Sequence, residues 1–540
     1  MSLFAPLQHT FCWPRSPMGA SLMVQQGGAG SAPGAPKAPA AWTLERLLKD
    51  IPVRAFRGMG SIAVRGLMAD SRRVSPGVLF FALPGQNVDG NHFVEEAIDR
   101  GAVAVVSEQP PPRLRLGACV HVEDARATMA LLARRFYGEP DNALEVFGVT
   151  GTNGKTTVTT LLRYLLDPLE SGRCGQIGTV AYQVGKRAIP AFRTTPEAID
   201  THAMLAEMVR GGAEAVAMEI SSHGIDQQRV QGLKVRHAAF LNLTQDHIDY
   251  HESMEAYFAV KRRLFTGETG VRPRTTSVNA DDPYGVELLS SLNPGMDTWT
   301  FGENESARVR AVELELGPAS SAFTVLVDEV PAGRVRSALP GRYNVSNVLA
   351  ALCMLAASGR EVSEAIEQVA SFQAVPGRME KIDTGQRFTV LVDYAHTDDA
   401  LRNALESLRA ITPGRLLVVF GCGGNRDRSK RPKMTEVVQG LADQAWATAD
   451  NPRKESLDTI FADMRTGVTD PGAIEFVEDR RRAISLALDA ARPGDCVLVA
   501  GKGHEAFQEL GNTVVPFDDR QVSRELLQRK QLREPEGGSA

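Results

Sequence analysis

Hydrophobic and polar positions divide the chain into stretches of different period. From Trp42 onward, Leu44, Leu47 and Leu48 fall at helical spacing, and Val78-Leu-Phe-Phe-Ala-Leu83 and Ala102-Val-Ala-Val-Val-Ser107 are apolar runs of strand length. A run that is apolar on both sides fits a strand covered on both faces of a sheet. The polar Gly138-Glu-Pro-Asp-Asn142 reads as a linker. Beyond it, Leu144-Glu-Val-Phe-Gly-Val-Thr150 predicts a strand, and Thr156 to Leu166, with leucines at 161, 162, 165 and 166, predicts a helix. Ala213 to Glu219 predicts another strand, Phe240-Leu-Asn-Leu-Thr-Gln-Asp-His247-Ile-Asp249 ends a second one in a polar cluster, and Tyr257 to Phe265 predicts another helix. Short polar strands are expected over 306–336 and a helix over Asn344 to Ala357. Four apolar strands follow, Phe388 to Asp393, Arg415 to Gly421, Gln444 to Asp450 and Asp495 to Gly501, each ending in polar residues.

This alternation predicts an α/β protein, and 540 residues exceed what one core supports. Three domains are expected: a small N-terminal α/β domain over 42–140, a central parallel-sheet domain over 141–338, and a C-terminal Rossmann-like α/β domain over 339–530. Residues 1–41, rich in Gly, Ala and Pro after Val24, are expected to be disordered, and 531–540 to form a loose tail. Met1, Met18 and Met23 are alternative starts.

Composition narrows the function classes. The 60 Lys and Arg nearly balance 65 Asp and Glu, which argues against a nucleic-acid partner. No apolar run reaches the roughly 20 residues of a membrane span, and no secretory leader is evident. The six cysteines are dispersed, without the spacing of a zinc or redox motif. A cytoplasmic protein with reduced thiols, no membrane insertion and a monomeric state is expected.

The chemistry begins at Gly151-Thr-Asn-Gly-Lys-Thr-Thr157. Between a strand and a helix, such a loop turns backbone N–H groups and the positive helix end toward phosphates. Gly151, Thr152, Asn153, Gly154, Lys155, Thr156 and Thr157 are therefore candidate ATP contacts, with Lys155 on the terminal phosphates and Thr156 on magnesium. Val149 stands where the strict Walker pattern has glycine. Glu219 and His247 each follow a predicted strand, the edge at which a parallel sheet meets its nucleotide, and are candidate magnesium ligands. A lone His in such a loop is more often structural, and a helical lysine such as Lys261 is by itself a solvated face.

GTNGKTT, MEISSHGIDQQRV, DHIDYH, YFAVKRRLF, GRYNVSN, PGRME, VDYAHT, GCGGNRDRSKRP, DNPR and GKGHE occur in this order. Together, over about residues 42 to 525, they resemble the Mur ligases of peptidoglycan synthesis, in particular the branch that adds meso-diaminopimelate. The resemblance implies a three-domain ligase that extends a UDP-linked muramoyl peptide by one amino acid through an acyl phosphate. It implies a UDP-binding N-terminal domain, a central ATP-binding domain and a C-terminal amino-acid-binding domain. By the same resemblance, Lys155 and Thr156 hold ATP and Glu219 and His247 bind Mg²⁺. Lys261, carboxylated by CO₂ to N6-carboxylysine, helps place a second magnesium, and Thr156, Glu219, His247 and Lys261 form the metal set. Ala69, Ser71 and Gly85-Gln86-Asn87-Val88 match the uridine-diphosphate site, and Thr194, Thr195, Ser221, Gln227 and Arg229 the muramoyl-peptide site. Arg193 departs from the Asn of many relatives before Thr-Thr-Pro. Tyr343, Asn344 and above all Asn347 resemble the adenine-side contact, with Arg378, Asp393, Tyr394 and His396 closing over ATP.

The four strand ends of the last domain predict one ligand crevice. Arg426 and Arg453 offer planar forks for carboxylates and Glu505 an acceptor for an ammonium group, the inventory for an amino acid with two of each. Asp450, Asn451, Pro452, Arg453 and Gly501 complete that set. In the family the DNPR sequence accompanies meso-diaminopimelate, whereas lysine-adding relatives lack its Arg. The alternatives are a lysine-adding Mur ligase, a folylpolyglutamate synthetase-like ligase, and a nucleotide-binding scaffold without turnover.

Overall fold

A computed structural model describes residues 42–85, 88–109, 117–317, 320–373 and 375–533. The expected N-terminal extension, Gln86 and Asn87 of the uridine-diphosphate set, and the tail from 534 lie outside the described residues. The chain forms two compact units, Met1–Phe136 and Tyr137–Ala540.

In the first unit, Val78–Ala82 and Ala102–Ser107 are the central strands of a five-stranded sheet. Gly66–Met68 and Ala118–His121 flank them in parallel, and Ala55–Gly58 closes one edge antiparallel. Every residue of Val78–Ala82 is buried, as expected for a strand with both faces covered.

The second unit holds two large sheets and the two-stranded pair Phe507–Leu510 and Thr513–Pro516. Seven strands of the eleven-stranded sheet run parallel, in the order Cys174–Ile177, Ala215–Glu219, Glu145–Thr150, His237–Phe240, Thr275–Asn279, Asp297–Gly302, Val309–Leu316. Antiparallel strands extend both ends, and the expected polar strands are the meander Val309–Leu316, Ser321–Val327 and Val330–Ser337. The second sheet places Thr389–Asp393, Cys496–Ala500, Leu416–Cys422, Gln444–Ala449 and Ile474–Val477 side by side in parallel. Its strand ends therefore share one edge.

Two expectations are corrected by packing. The polar segment before Leu144 is not an open linker. Pro140–Asn142 is a 3-10 turn, and the fully buried Asp141 carboxylate accepts the backbone N–H of Lys234 at 2.8 Å. A carboxylate satisfied by main chain can be buried where composition alone suggests solvent. Nor does packing break at residue 339. Helix Arg342–Ala357 is apolar nearly all round, with twelve buried residues, and shares a core with Phe147, Leu161, Phe301 and Phe323. A helix with no polar face needs neighbours on every side, and the preceding sheet supplies them. The following helix, Val362–Val369, joins that same core, which continues to Val375; the core of the second sheet begins at Met379. The last helix, Asp519–Arg533, runs three residues into the expected tail.

Cys119, Cys174, Cys353, Cys422 and Cys496 are all buried and free. Burial pushes the thiols of Cys174, Cys353, Cys422 and Cys496 up to about 12. No helix among the described residues is long and apolar enough to cross a membrane.

Candidate functional site

The phosphate loop connects the buried strand Glu145–Thr150 to helix Lys155–Leu166. Gly154 caps this helix with φ +86°, and a Cβ there would collide with Asn347 Oδ1, so the loop and helix Arg342–Ala357 meet at a residue without a side chain. Asn347 is buried and donates to Asn344 Oδ1, while Asn344 donates to Pro340 O. The loop is braced from the next strand: Thr152 N donates to Asn242 O, and Asn153 N to Asn242 Oδ1. Thr157 is buried on the first turn.

Two lysines converge on this loop. Lys155 Nζ donates to Gly151 O and Thr152 O, each at 2.8 Å, and Lys261 Nζ donates to the same Gly151 O at 2.9 Å. Lys261 comes from helix Met254–Thr266, capped by Ser253, and is only 1% exposed. Burial, then the charge of Lys155, holds the Lys261 ammonium well below the ordinary lysine range. Burial also lowers Lys155, against the opposing pull of Glu219 and Asp246.

Glu219 closes its strand fully buried. Its carboxylate accepts from Thr156 Oγ1 at 3.1 Å, from Thr179 N at 2.7 Å and from Thr179 Oγ1 at 3.0 Å. His247 sits in the left-handed region, φ 55°, which a non-glycine residue adopts at some cost. Its Nε2 lies 3.4 Å from Asp246 Oδ2 and its ring meets His223 edge-on at 4.8 Å. Burial first, then the surrounding charges of His223, Lys155 and Lys261, pushes its imidazole down to about 4, although Asp246 opposes this. Among the described residues no three His, Cys, Asp or Glu side chains form a ready metal cage.

The muramoyl-peptide set gathers at the end of the Glu219 strand. Thr195 Oγ1 donates to Glu219 O and accepts from Ser221 N; Thr194 and Thr179 hydroxyls are 3.1 Å apart. Arg229 donates to Thr195 O and Gln227 Oε1 and pairs with Glu197. Arg193 points outward to Glu197, while its backbone N–H and carbonyl are both held by Tyr182 Oη. In the first unit, Ala69 and Ser71 follow strand Gly66–Met68, and Gly85 and Val88 follow the neighbouring parallel strand Val78–Ala82. Both loops thus share one sheet edge, with the buried Ser71 hydroxyl donating to Glu96.

Within the second unit, segments around the second sheet reach the phosphate loop and its surroundings. Arg378 Nη2 reaches Thr156 Oγ1 at 3.4 Å, and its guanidinium lies over the Tyr394 ring at 4.7 Å. Asp399 accepts from Thr244 Oγ1 at 2.6 Å and from Asn153 Nδ2 at 3.4 Å. Lys430 lies 3.5 Å from Asp246. Asp393 spends its carboxylate on Met379 N and Ala395 N, tying two loops, and His396 leans on Tyr394.

At the shared edge of that sheet, Asn451 Nδ2 and the fully buried Lys502 Nζ both donate to Glu505 Oε2, at 2.9 and 3.0 Å. Asp450 is buried, its Oδ2 has no hydrogen-bond partner, and a Cβ on Gly501 would stand 2.8 Å from it. Pro452 is buried; Arg453 pairs with Glu509, and Arg426 is exposed on the loop opposite. The Tyr394 ring packs against His504 at 5.1 Å, so the Arg378 contact reaches the segment that carries Glu505, and burial pushes the Tyr394 hydroxyl up.

Comparison with known proteins follows the same division. Residues 63–137 match the family described as Mur ligase family, catalytic domain, residues 149–355 the Mur ligase middle domain, and residues 377–503 the Mur ligase glutamate ligase domain. A UDP-N-acetylmuramoyl-L-alanyl-D-glutamate--2,6-diaminopimelate ligase of Solibacter usitatus is 43% identical over 472 residues, 86% of this chain and 93% of the relative. The chain belongs to the Mur ligase family. A ligase of the same description from Streptomyces coelicolor is 43% identical over 481 residues, 87% of this Mur ligase and 94% of the relative. A solved structure of that description superimposes with TM-score 0.65 at 31% identity, covering 91% of this Mur ligase and all of the other chain. A folylpolyglutamate synthase of Mycobacterium tuberculosis shares the fold, TM-score 0.57, at 16% identity.

Thr179, Asp399 and Glu509 stand in these clusters although nothing in the sequence of this Mur ligase singled them out, and Lys502 lies inside GKGHE without having been given a role. Thr179 follows strand Cys174–Ile177, beside the Glu219 strand, and Asp399 opens a helix capped by Thr397. Those strand-end and helix-start positions were the available signals.

Proposed function

We propose that this chain is an ATP-dependent ligase that adds meso-diaminopimelate to UDP-N-acetylmuramoyl-L-alanyl-D-glutamate in the synthesis of peptidoglycan precursors. It acts in the cytoplasm, as a monomer. The observation that carries the reading is the bridge made by Arg378, which touches Thr156 of the phosphate loop and stacks on Tyr394, whose ring packs on His504 beside Glu505. Nucleotide and incoming amino acid are thereby served by one cleft.

The donor set fits magnesium. A buried carboxylate, Glu219, stands beside the Thr156 hydroxyl at the head of a phosphate loop, and Mg²⁺ prefers one or two carboxylates plus phosphate oxygens to an all-protein cage. When bound, magnesium would offset phosphate charge and polarise the terminal phosphate. His247, kept neutral, retains the lone pair a metal ligand needs. Burial disfavours the ammonium form of Lys261, and its amine, once deprotonated, can add CO₂ and lose a proton, which turns a cation into a carboxylate oxygen donor.

The loop N–H groups and Lys155 hold the phosphates, and Asn347 meets the nucleotide from the adenine side. Thr194, Thr195, Ser221, Gln227 and Arg229 hold the muramoyl peptide so that its D-glutamate carboxylate attacks the terminal phosphate, releasing ADP and forming an acyl phosphate. Ala69, Ser71 and Val88, with Gln86 and Asn87, hold the uridine diphosphate. Arg426 and Arg453 bind carboxylates of diaminopimelate, and Glu505, Asp450 and Asn451 receive ammonium hydrogens. The amine attacks the acyl carbon, phosphate leaves, and the amide nitrogen gives up its proton. Catalysis rests on alignment and charge stabilisation rather than on a protein nucleophile.

The test is incubation with ATP and UDP-N-acetylmuramoyl-L-Ala-D-Glu, with diaminopimelate or lysine, followed by phosphate release and product mass. The diaminopimelate tripeptide is the expected product. A lysine product alone would assign the lysine-adding branch, and none with either would overturn the function.

A further inference from the structure

Arg453, read above as the fork that selects the amino acid, already has a partner. Its Nε stands 2.7 Å from Glu509 Oε2, and its Nη1 donates to Gly424 O at 3.0 Å. Main-chain contacts hold the two residues together without help from either side chain: Arg453 N donates to Glu509 O, and Gly511 N to Arg453 O. Glu509 N also donates to Asn451 Oδ1 at 3.0 Å. The strand Phe507–Leu510 is therefore docked on the DNPR segment whatever residue 509 carries.

The Arg453 guanidinium lies against Gly423. A Cβ on Gly423 would lie 3.2 Å from Arg453 Nη1 and 3.7 Å from Arg426 Cγ, so both arginines flank one glycine. Arg426 is exposed, on the loop opposite Arg453. With Nε on Glu509 and one Nη1 hydrogen on Gly424 O, the plane is fixed. The outer edge, Nη2 and the second Nη1 hydrogen, is left for a planar carboxylate.

We propose that Glu509 is a positioning residue for the incoming amino acid, aiming the outer edge of Arg453 at the carboxylate on the far end of the diamino acid. The role rests on the diaminopimelate reading of Arg453 above. Lysine has no carboxylate there, so Glu509 acts on the choice between the two amino acids as well as on affinity.

The experiment compares the full-length wild type with Glu509→Ala and Glu509→Gln, measuring KM for diaminopimelate, KM for ATP, kcat and the diaminopimelate-to-lysine preference. Glu509→Ala is expected to raise KM for diaminopimelate about tenfold, the scale of one charge-assisted bond. KM for ATP and kcat should stay near wild type, and the preference should fall by a similar factor. Glu509→Gln, which keeps an acceptor oxygen at Nε, should restore most of the affinity. An unchanged or lowered KM for diaminopimelate in Glu509→Ala overturns the role, as does a parallel loss in KM for ATP and kcat. A wild type that makes no diaminopimelate product overturns the underlying function and this role with it, whereas the variant arms beside an active wild type overturn this role alone.

Discussion

Lys155 and Lys261 both donate to the carbonyl of Gly151, which puts two amines where ordinary lysines would carry two positive charges. Burial and mutual repulsion disfavour the ammonium form of both, and more so at Lys261. An uncharged, enclosed amine is the form that reacts with CO₂. Lys261→Ala is therefore expected to cut turnover at least about tenfold, and stripping dissolved CO₂ should slow the wild type but not the variant. Phosphate-release rates in degassed and bicarbonate-supplemented buffer decide it; equal wild-type rates would remove the carbamate. For Arg453→Ala the expected change is in preference, with the ratio of kcat/KM for diaminopimelate over lysine falling roughly 10- to 100-fold. Competition between the two amino acids, read by product mass, checks this. Lys155, Thr156 and Glu219 were legible because strand-end and helix-start positions constrain what they face. Thr179 was not, since its bonds to Glu219 span 40 residues of chain and only the pairing of two strands brings them together.

Among the elements, the phosphate loop and helix Arg342–Ala357 are a matched pair. Gly154→Ala adds a methyl group at a left-handed φ and into Asn347, two penalties of about 1 kcal/mol or more each. The variant is expected to lose nucleotide binding and to melt several degrees lower, seen by ATP titration and calorimetry. Retained ATP affinity would place the adenine side elsewhere. The strands and helices themselves were largely readable, because apolar runs such as Val78 to Ala82 and Cys496 to Ala500 are buried on both faces. Where periodicity failed was in allegiance. Leu339-Pro-Gly-Arg342 has the composition of a break, yet the helix after it is too apolar to leave the first core it meets. Pro140–Asn142 failed in the opposite sense, polar by letter but closed by a backbone hydrogen bond.

For the whole molecule, three side chains around the second sheet of the larger unit reach the phosphate loop and its surroundings: Arg378 to Thr156, Asp399 to Thr244 and Asn153, and Lys430 to Asp246. Asp399 holds its share with a carboxylate, and the bond at 2.6 Å is of the strong, charge-assisted kind. Asp399→Ala is expected to shift the closed arrangement toward open about tenfold and to lower kcat accordingly. Scattering with and without ATP measures the closure, and an unchanged radius of gyration would remove Asp399 from it. The buried cysteines divide along the same lines. Cys119 lies in the first unit, Cys174 and Cys353 in the core around the phosphate loop, and Cys422 and Cys496 in the core of the second sheet. Each of the three large sheets thus carries its own silent reporter in a strand. A thiol-specific label reaches one only when that sheet opens, and the order in which the tagged peptides emerge gives the order in which the protein comes apart.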